Sequence, residues 1–193
     1  MNPIGVLGGI FDPVHNGHLA LAVLAKDFFK LDKVLFVPSG NPPHKKSSVN
    51  CCASDRLEML KIALSGEPDT QIWDLEIKRS GISYTVDTLY ELKELFPGPL
   101  FFIIGSDNLG ELTTWHKYKE ILNLVTLCVA HRPGFSFKIP SQIEQANILR
   151  FPSPEWGISS TMIRSYLQKG YSCRHLLPED VIEYISNKGL YQN

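Results

Sequence analysis

The run Leu100-Phe101-Phe102-Ile103-Ile104 admits few environments. A strand-length stretch with no polar alternation must be covered on both faces, and two-sided cover comes from helices packed on a parallel sheet. The rest of the chain repeats the theme. Ile4 to Leu7, Lys33 to Val37, Gln71 to Ile77, Leu124 to Ala130 and Asn147 to Phe151 read as further strands. Helical periodicity occupies residues 18 to 30, 55 to 65, 85 to 96, 160 to 169 and 179 to 188, with Ser54 as the expected N-cap of the second helix. Six strands with interposed helices in 193 residues predict an α/β fold. We expect a single doubly wound, Rossmann-like domain over residues 1–193, mostly parallel, with helices on both faces and a helical C-terminal portion. Such sheets bind ligands beyond the carboxyl ends of their strands, which directs attention to residues 8–18, 39–46, 105–115 and the approach to 160.

Charge narrows the partners. Nineteen basic against twenty acidic residues give a net charge of −1, so neither nucleic acid nor an anionic membrane surface is expected, and any cationic field is local. No 18 apolar residues run together and no basic-then-apolar leader opens the chain, so neither a membrane span nor export is expected. Cys51, Cys52, Cys128 and Cys173 form no C-x-x-C pair. Zinc is therefore not expected, and reduced thiols in a cytoplasm fit the count. The sequence leaves a homo-oligomer open.

The first loop reads Gly8-Gly9-Ile10-Phe11-Asp12-Pro13-Val14-His15-Asn16-Gly17-His18 before a helix. It is neither G-x-G-x-x-G nor G-K-[ST], which removes the dinucleotide and Walker fingerprints. Glycines let the backbone approach a ligand, and the helix mouth favours an anion. Two imidazoles three residues apart are compatible with turn and cap roles, or with a metal pair for which no third ligand is evident. Their setting between a strand end and a helix start points to donors for phosphate oxygens. Further on, Ile158-Ser159-Ser160-Thr161-Met162-Ile163-Arg164 offers hydroxyls and N–H groups at another helix start, with Arg164 one turn beyond Ser160 on the same face.

Together the two segments resemble the H-x-G-H and I-S-S-T-x-I-R signatures of the nucleotidyltransferase superfamily. The middle of the chain is similar to the bacterial nicotinate mononucleotide adenylyltransferase family: Pro42-Pro43-His44-Lys45, Ile82-Ser83-Tyr84-Thr85, Gly105-Ser106-Asp107, Trp115 and Arg132-Pro133-Gly134. The resemblance implies adenylyl transfer from ATP to nicotinate mononucleotide, with magnesium carried mainly by ATP. It implies that His15, His18 and Arg164 serve catalysis, holding the ATP phosphates together with Ser160. Gly8, Gly9, Ile10, Phe11, Ile158, Ser159 and Thr161 would join that ATP site, and Gly105 and Asp107 would lie near the adenosine ribose. Lys45, Tyr84, Thr85, Trp115 and Arg132 would fall on the mononucleotide side, where an indole can stack a pyridine ring. Two positions depart from the family pattern: Ile10 replaces a threonine and Ser106 an alanine. The first removes one hydroxyl, worth about 1–3 kcal/mol at a charged site, which slows such an enzyme without silencing it. The alternatives are pantetheine-phosphate adenylyltransferase, a cytidylyltransferase, or a nucleotide-binding regulator without turnover.

Overall fold

A computed structural model of the chain describes residues 2–42, 49–131, 138–153 and 157–192. Six strands, β1 (Ile4–Gly9), β2 (Lys33–Pro38), β3 (Thr70–Ile72), β4 (Leu100–Gly105), β5 (Thr126–Ala130) and β6 (Ile148–Phe151), form one sheet in the order β3-β2-β1-β4-β5-β6. Every neighbouring pair is parallel. The chain steps outward from β1 to β3, then crosses back to place β4 on the other side of β1. That reversal opens a crevice beyond the carboxyl ends of β1 and β4, at Gly9 and Gly105.

Eight helices complete the described fold: α1 (Asn16–Phe29), α2 (Ala53–Ala63), α3 (Leu75–Lys78), α4 (Thr85–Leu95), α5 (Ser106–Glu111), α6 (Tyr118–Leu124), α7 (Ser160–Gln168) and α8 (Glu179–Lys188). Strand side chains alternate between two cores, as the two-residue period requires. Leu7, Phe36 and Ile103 pack with Ala22 and Ala25 of α1, Met59 and Leu60 of α2, Ile163 of α7 and Val181 and Ile185 of α8. On the opposite face Val6, Leu35 and Phe102 meet Val86, Leu89 and Leu92 of α4, Leu109 of α5 and Ile121 of α6. The continuous apolar run of β4 thus feeds both cores. Among the described residues no helix is long and apolar enough to cross a membrane.

The structure corrects three local expectations. The strand expected over Gln71–Ile77 ends at Ile72. Trp73 N–H makes the last bond to Phe36, and the Asp74 carbonyl accepts from Ile77 and Lys78, starting the one-turn helix α3. Leu124 closes α6 instead of opening β5; α5 and α6, six and seven residues long, are too short to carry a legible amphipathic period. The N-cap of α2 is Cys52, not Ser54, because Arg56 N–H already donates to the Cys52 carbonyl.

Candidate active site

A cleft of about 940 Å³ occupies the crevice between β1 and β4, at the upper end of the size range of small-molecule sites. At one end of the cleft the chain turns sharply out of β1. Phe11 adopts φ 53° and Asp12-Pro13 is cis. The Phe11 ring, only 1% exposed, lies edge-on to His18 at 5.0 Å and against Phe36 at 5.8 Å, so it forms a floor for the imidazole. His15 caps α1 and stacks on His18 with ring centroids 3.6 Å apart. His15 N–H donates to His18 Nδ1 at 3.2 Å. With Nδ1 accepting, the neutral ring carries its proton on Nε2. Gly17 makes this stack fit: a Cβ there would lie 3.0 Å from His15 Nδ1.

The second motif closes over the first. Ser159 caps α7 by accepting from Met162 N–H at 3.2 Å. Ser160 Oγ donates to the Pro13 carbonyl at 2.9 Å, and Arg164 Nη1 donates to the Asp12 carbonyl at 2.7 Å. Arg164 Nη2 donates to Thr161 Oγ1 at 3.2 Å. Ser160 and one arm of Arg164 therefore hold the histidine loop as well as lining the cleft.

At the other end, Tyr84 caps α4 and Thr85 begins it. Trp115 is half-buried, edge-on to Phe102 at 6.2 Å, and the His116 ring lies 4.2 Å from Tyr84. Asp107 folds back over the end of β4, so close that a Cβ on Gly105 would lie 2.4 Å from its Oδ1. Gly8, Gly9, Ile10, Phe11, His15, His18, Tyr84, Thr85, Gly105, Asp107, Trp115, Ile158, Ser159, Ser160, Thr161 and Arg164 all line this cleft. Lys45 and Arg132 lie outside the described residues.

A model of the cytidylyltransferase-like family matches residues 6–166. A protein of Dehalococcoides mccartyi is 42% identical over 97% of this chain and 96% of its own length, and one of Desulfitobacterium hafniense is 44% identical over 98% and 95%. Both bear the name "Probable nicotinate-nucleotide adenylyltransferase". The chain belongs to the nicotinate-nucleotide adenylyltransferase family. The adenylyltransferase fold is also that of a Plasmodium falciparum nicotinic acid mononucleotide adenylyltransferase complexed with NaAD, at TM-score 0.84 and 22% identity over 99% of this chain and 98% of that one. The same protein complexed with APC gives TM-score 0.79 at 21% identity, with the same coverage.

Within this adenylyltransferase, the structure adds residues that sequence reasoning missed. Asp12, 1% exposed, is the hub of the first loop. Its Oδ2 accepts from Asn50 N–H at 2.7 Å and sits 4.0 Å from Arg164, while its Oδ1 accepts from the Tyr191 hydroxyl at 2.6 Å. Burial, then that hydrogen bond, pushes the Tyr191 phenol well above its usual range, so it stays a donor. Arg56, also 1% exposed, donates from Nη1 to the Ile10 carbonyl at 2.6 Å. Burial lowers its pKa, and the nearby Asp12 charge opposes that shift. At the other end of the cleft, buried Glu76 accepts from Thr88 Oγ1 at 2.8 Å. Burial holds its carboxyl above the usual range. Asn41 and Ser83 bind each other through Asn41 N–H to Ser83 Oγ (3.1 Å) and Ser83 N–H to the Asn41 carbonyl (3.0 Å), tying the loop after β2 to the approach to α4. None of these partners is near in sequence, and no local signal marks Asp12, Arg56 or Glu76 as buried.

Proposed function

We propose that this chain transfers the adenylyl group of ATP to the phosphate of nicotinate mononucleotide, giving nicotinate adenine dinucleotide and pyrophosphate, a step of NAD biosynthesis. The observation that carries this reading is the docking of Ser160 and Arg164 onto the Asp12-Pro13 segment beside the stacked histidines. The names and near-complete overlap of the relatives support it.

The mononucleotide phosphate is ionised at neutral pH and attacks the α-phosphorus of ATP directly. A P–O bond forms as the bond to the bridging oxygen breaks, and pyrophosphate leaves with that electron pair. Neither a strong base nor a covalent intermediate is needed, so the protein's work is alignment and charge stabilisation. His18 donates from Nε2 to an oxygen that gains charge, and the positive dipole ends of α1 and α7 favour the triphosphate. Arg164 supplies the cation. Trp115 offers a face to the pyridine ring, and the start of α4 at Tyr84-Thr85 offers N–H groups to the nicotinate carboxylate. Lys45 and Arg132 are assigned to the mononucleotide side. Gly105 and Asp107 are assigned to the ribose of ATP.

Magnesium arriving on ATP would supply charge neutralisation for the pyrophosphate. The donor set fits an ion held by phosphate oxygens and water, because the carboxylate of the phosphate loop, Asp12, is engaged by Asn50, Tyr191 and Arg164. Free thiols at all four cysteines support a cytoplasmic enzyme.

The test is a matrix of ATP and CTP against nicotinate mononucleotide, nicotinamide mononucleotide and phosphopantetheine, reading pyrophosphate. Fastest release is expected with ATP and nicotinate mononucleotide. Preference for CTP or phosphopantetheine, or tight ATP binding with no release, overturns the assignment.

A further inference from the structure

Outside the cleft, Cys51, Cys52 and Asp55 bring one ligand atom each within 4.8 Å of one another. They sit where the chain enters α2, and their arrangement is convergent. Cys52 Sγ donates to Asp55 Oδ2 at 2.8 Å, and the buried Cys51 thiol lies beside the same carboxylate. The other oxygen, Oδ1, is fixed by the Tyr184 hydroxyl of α8 at 2.8 Å. Two thiols thus gather around one carboxylate whose orientation is set from behind, the arrangement that outer-shell partners give to metal ligands. Cys51 is buried, Asp55 half-buried and Cys52 exposed, which leaves an approach from solvent.

We propose that Cys51, Cys52 and Asp55 form a binding site for a thiophilic divalent cation of the zinc class, separate from the magnesium that travels with ATP. Two thiolates and a carboxylate supply three ligands of a tetrahedral set, and water entering past Cys52 supplies the fourth. On binding, two S–H bonds are replaced by two sulfur–metal bonds and two protons pass to solvent; no electron changes hands. Soft thiolate ligands select against magnesium and calcium, which take hard oxygen donors. Sequence spacing hides the site, since adjacent cysteines do not form C-x-x-C and the third ligand is a carboxylate. It borders the first loop, since Asn50, next to Cys51 in the chain, donates its N–H to Asp12.

Cadmium is the probe, titrated into the reduced full-length protein without nucleotide while thiolate-to-metal charge transfer is followed in the ultraviolet. The expected result is a band that saturates at one equivalent and is bleached when zinc displaces cadmium. Cys52→Ser and Asp55→Asn, both at positions outside the core, are expected to weaken cadmium binding at least tenfold while circular dichroism stays unchanged. No band at one equivalent, zinc failing to displace cadmium, or Cys52→Ser binding as tightly as the natural chain would each overturn the site. Because the readout is binding alone, its failure leaves the adenylyl-transfer reading untouched.

Discussion

At Gly17 a single methyl group would press on the imidazole of His15, 3.0 Å away, and through the 3.6 Å ring stack on His18. Gly17→Ala is expected to lower turnover by roughly tenfold, about 1.4 kcal/mol of transition-state stabilisation, with the melting temperature nearly unchanged. Normal turnover in steady-state assays would show that the stack is incidental. Trp115→Ala is expected to weaken nicotinate mononucleotide by about 2- to 10-fold and ATP by less, checked by separate binding titrations. Equal losses would move Trp115 off the mononucleotide side. Glu76 gives a prediction with a definite sign. Its folded-state pKa is raised by burial, so whatever it contributes to stability is full below the unfolded glutamate value and declines as pH rises through the elevated folded value. Glu76→Gln cannot ionise. Its stability relative to the natural chain should improve as pH rises above the ordinary glutamate range in paired urea titrations; a flat or falling difference would contradict the assignment. That His15, His18 and Arg164 share one cleft was legible because they stand in short motifs at element boundaries. Asp12 was read only as part of a motif, and Arg56 and Glu76 were missed, because their importance comes from burial against partners at positions 50, 191, 10 and 88.

Elements whose period fills several turns were readable from their apolar spacing, as α4 with Val86, Leu89 and Leu92 shows. Short elements were not. In α3 a single turn is closed by Ile77 and Lys78 N–H on the Asp74 carbonyl, and four residues leave no periodic trace. At the start of α7 the cap does two jobs, since Ser159 closes the helix while Ser160 beside it holds Pro13. Removing the cap with Ser159→Ala is expected to cost about 1 kcal/mol in a denaturant melt. An unchanged midpoint would mean that packing of Ile163 alone sets the start of α7.

The whole molecule is organised by the reversal of strand order at β1, which places the loops after β1 and β4 side by side and lets α7 reach the first loop from the far end of the chain. The doubly wound class followed from general rules for parallel sheets, which the apolar runs were enough to invoke, whereas the strand order came only with the coordinates. The 147-residue contact between Ser160 and Pro13 needed coordinates. The most direct measurement follows dinucleotide and pyrophosphate together when the purified protein meets ATP, magnesium and nicotinate mononucleotide, for the natural chain and for His18→Ala. The account predicts one dinucleotide per pyrophosphate, and a rate lower by about 100-fold or more in the folded variant. Pyrophosphate without dinucleotide, or an undiminished rate in His18→Ala, would contradict it.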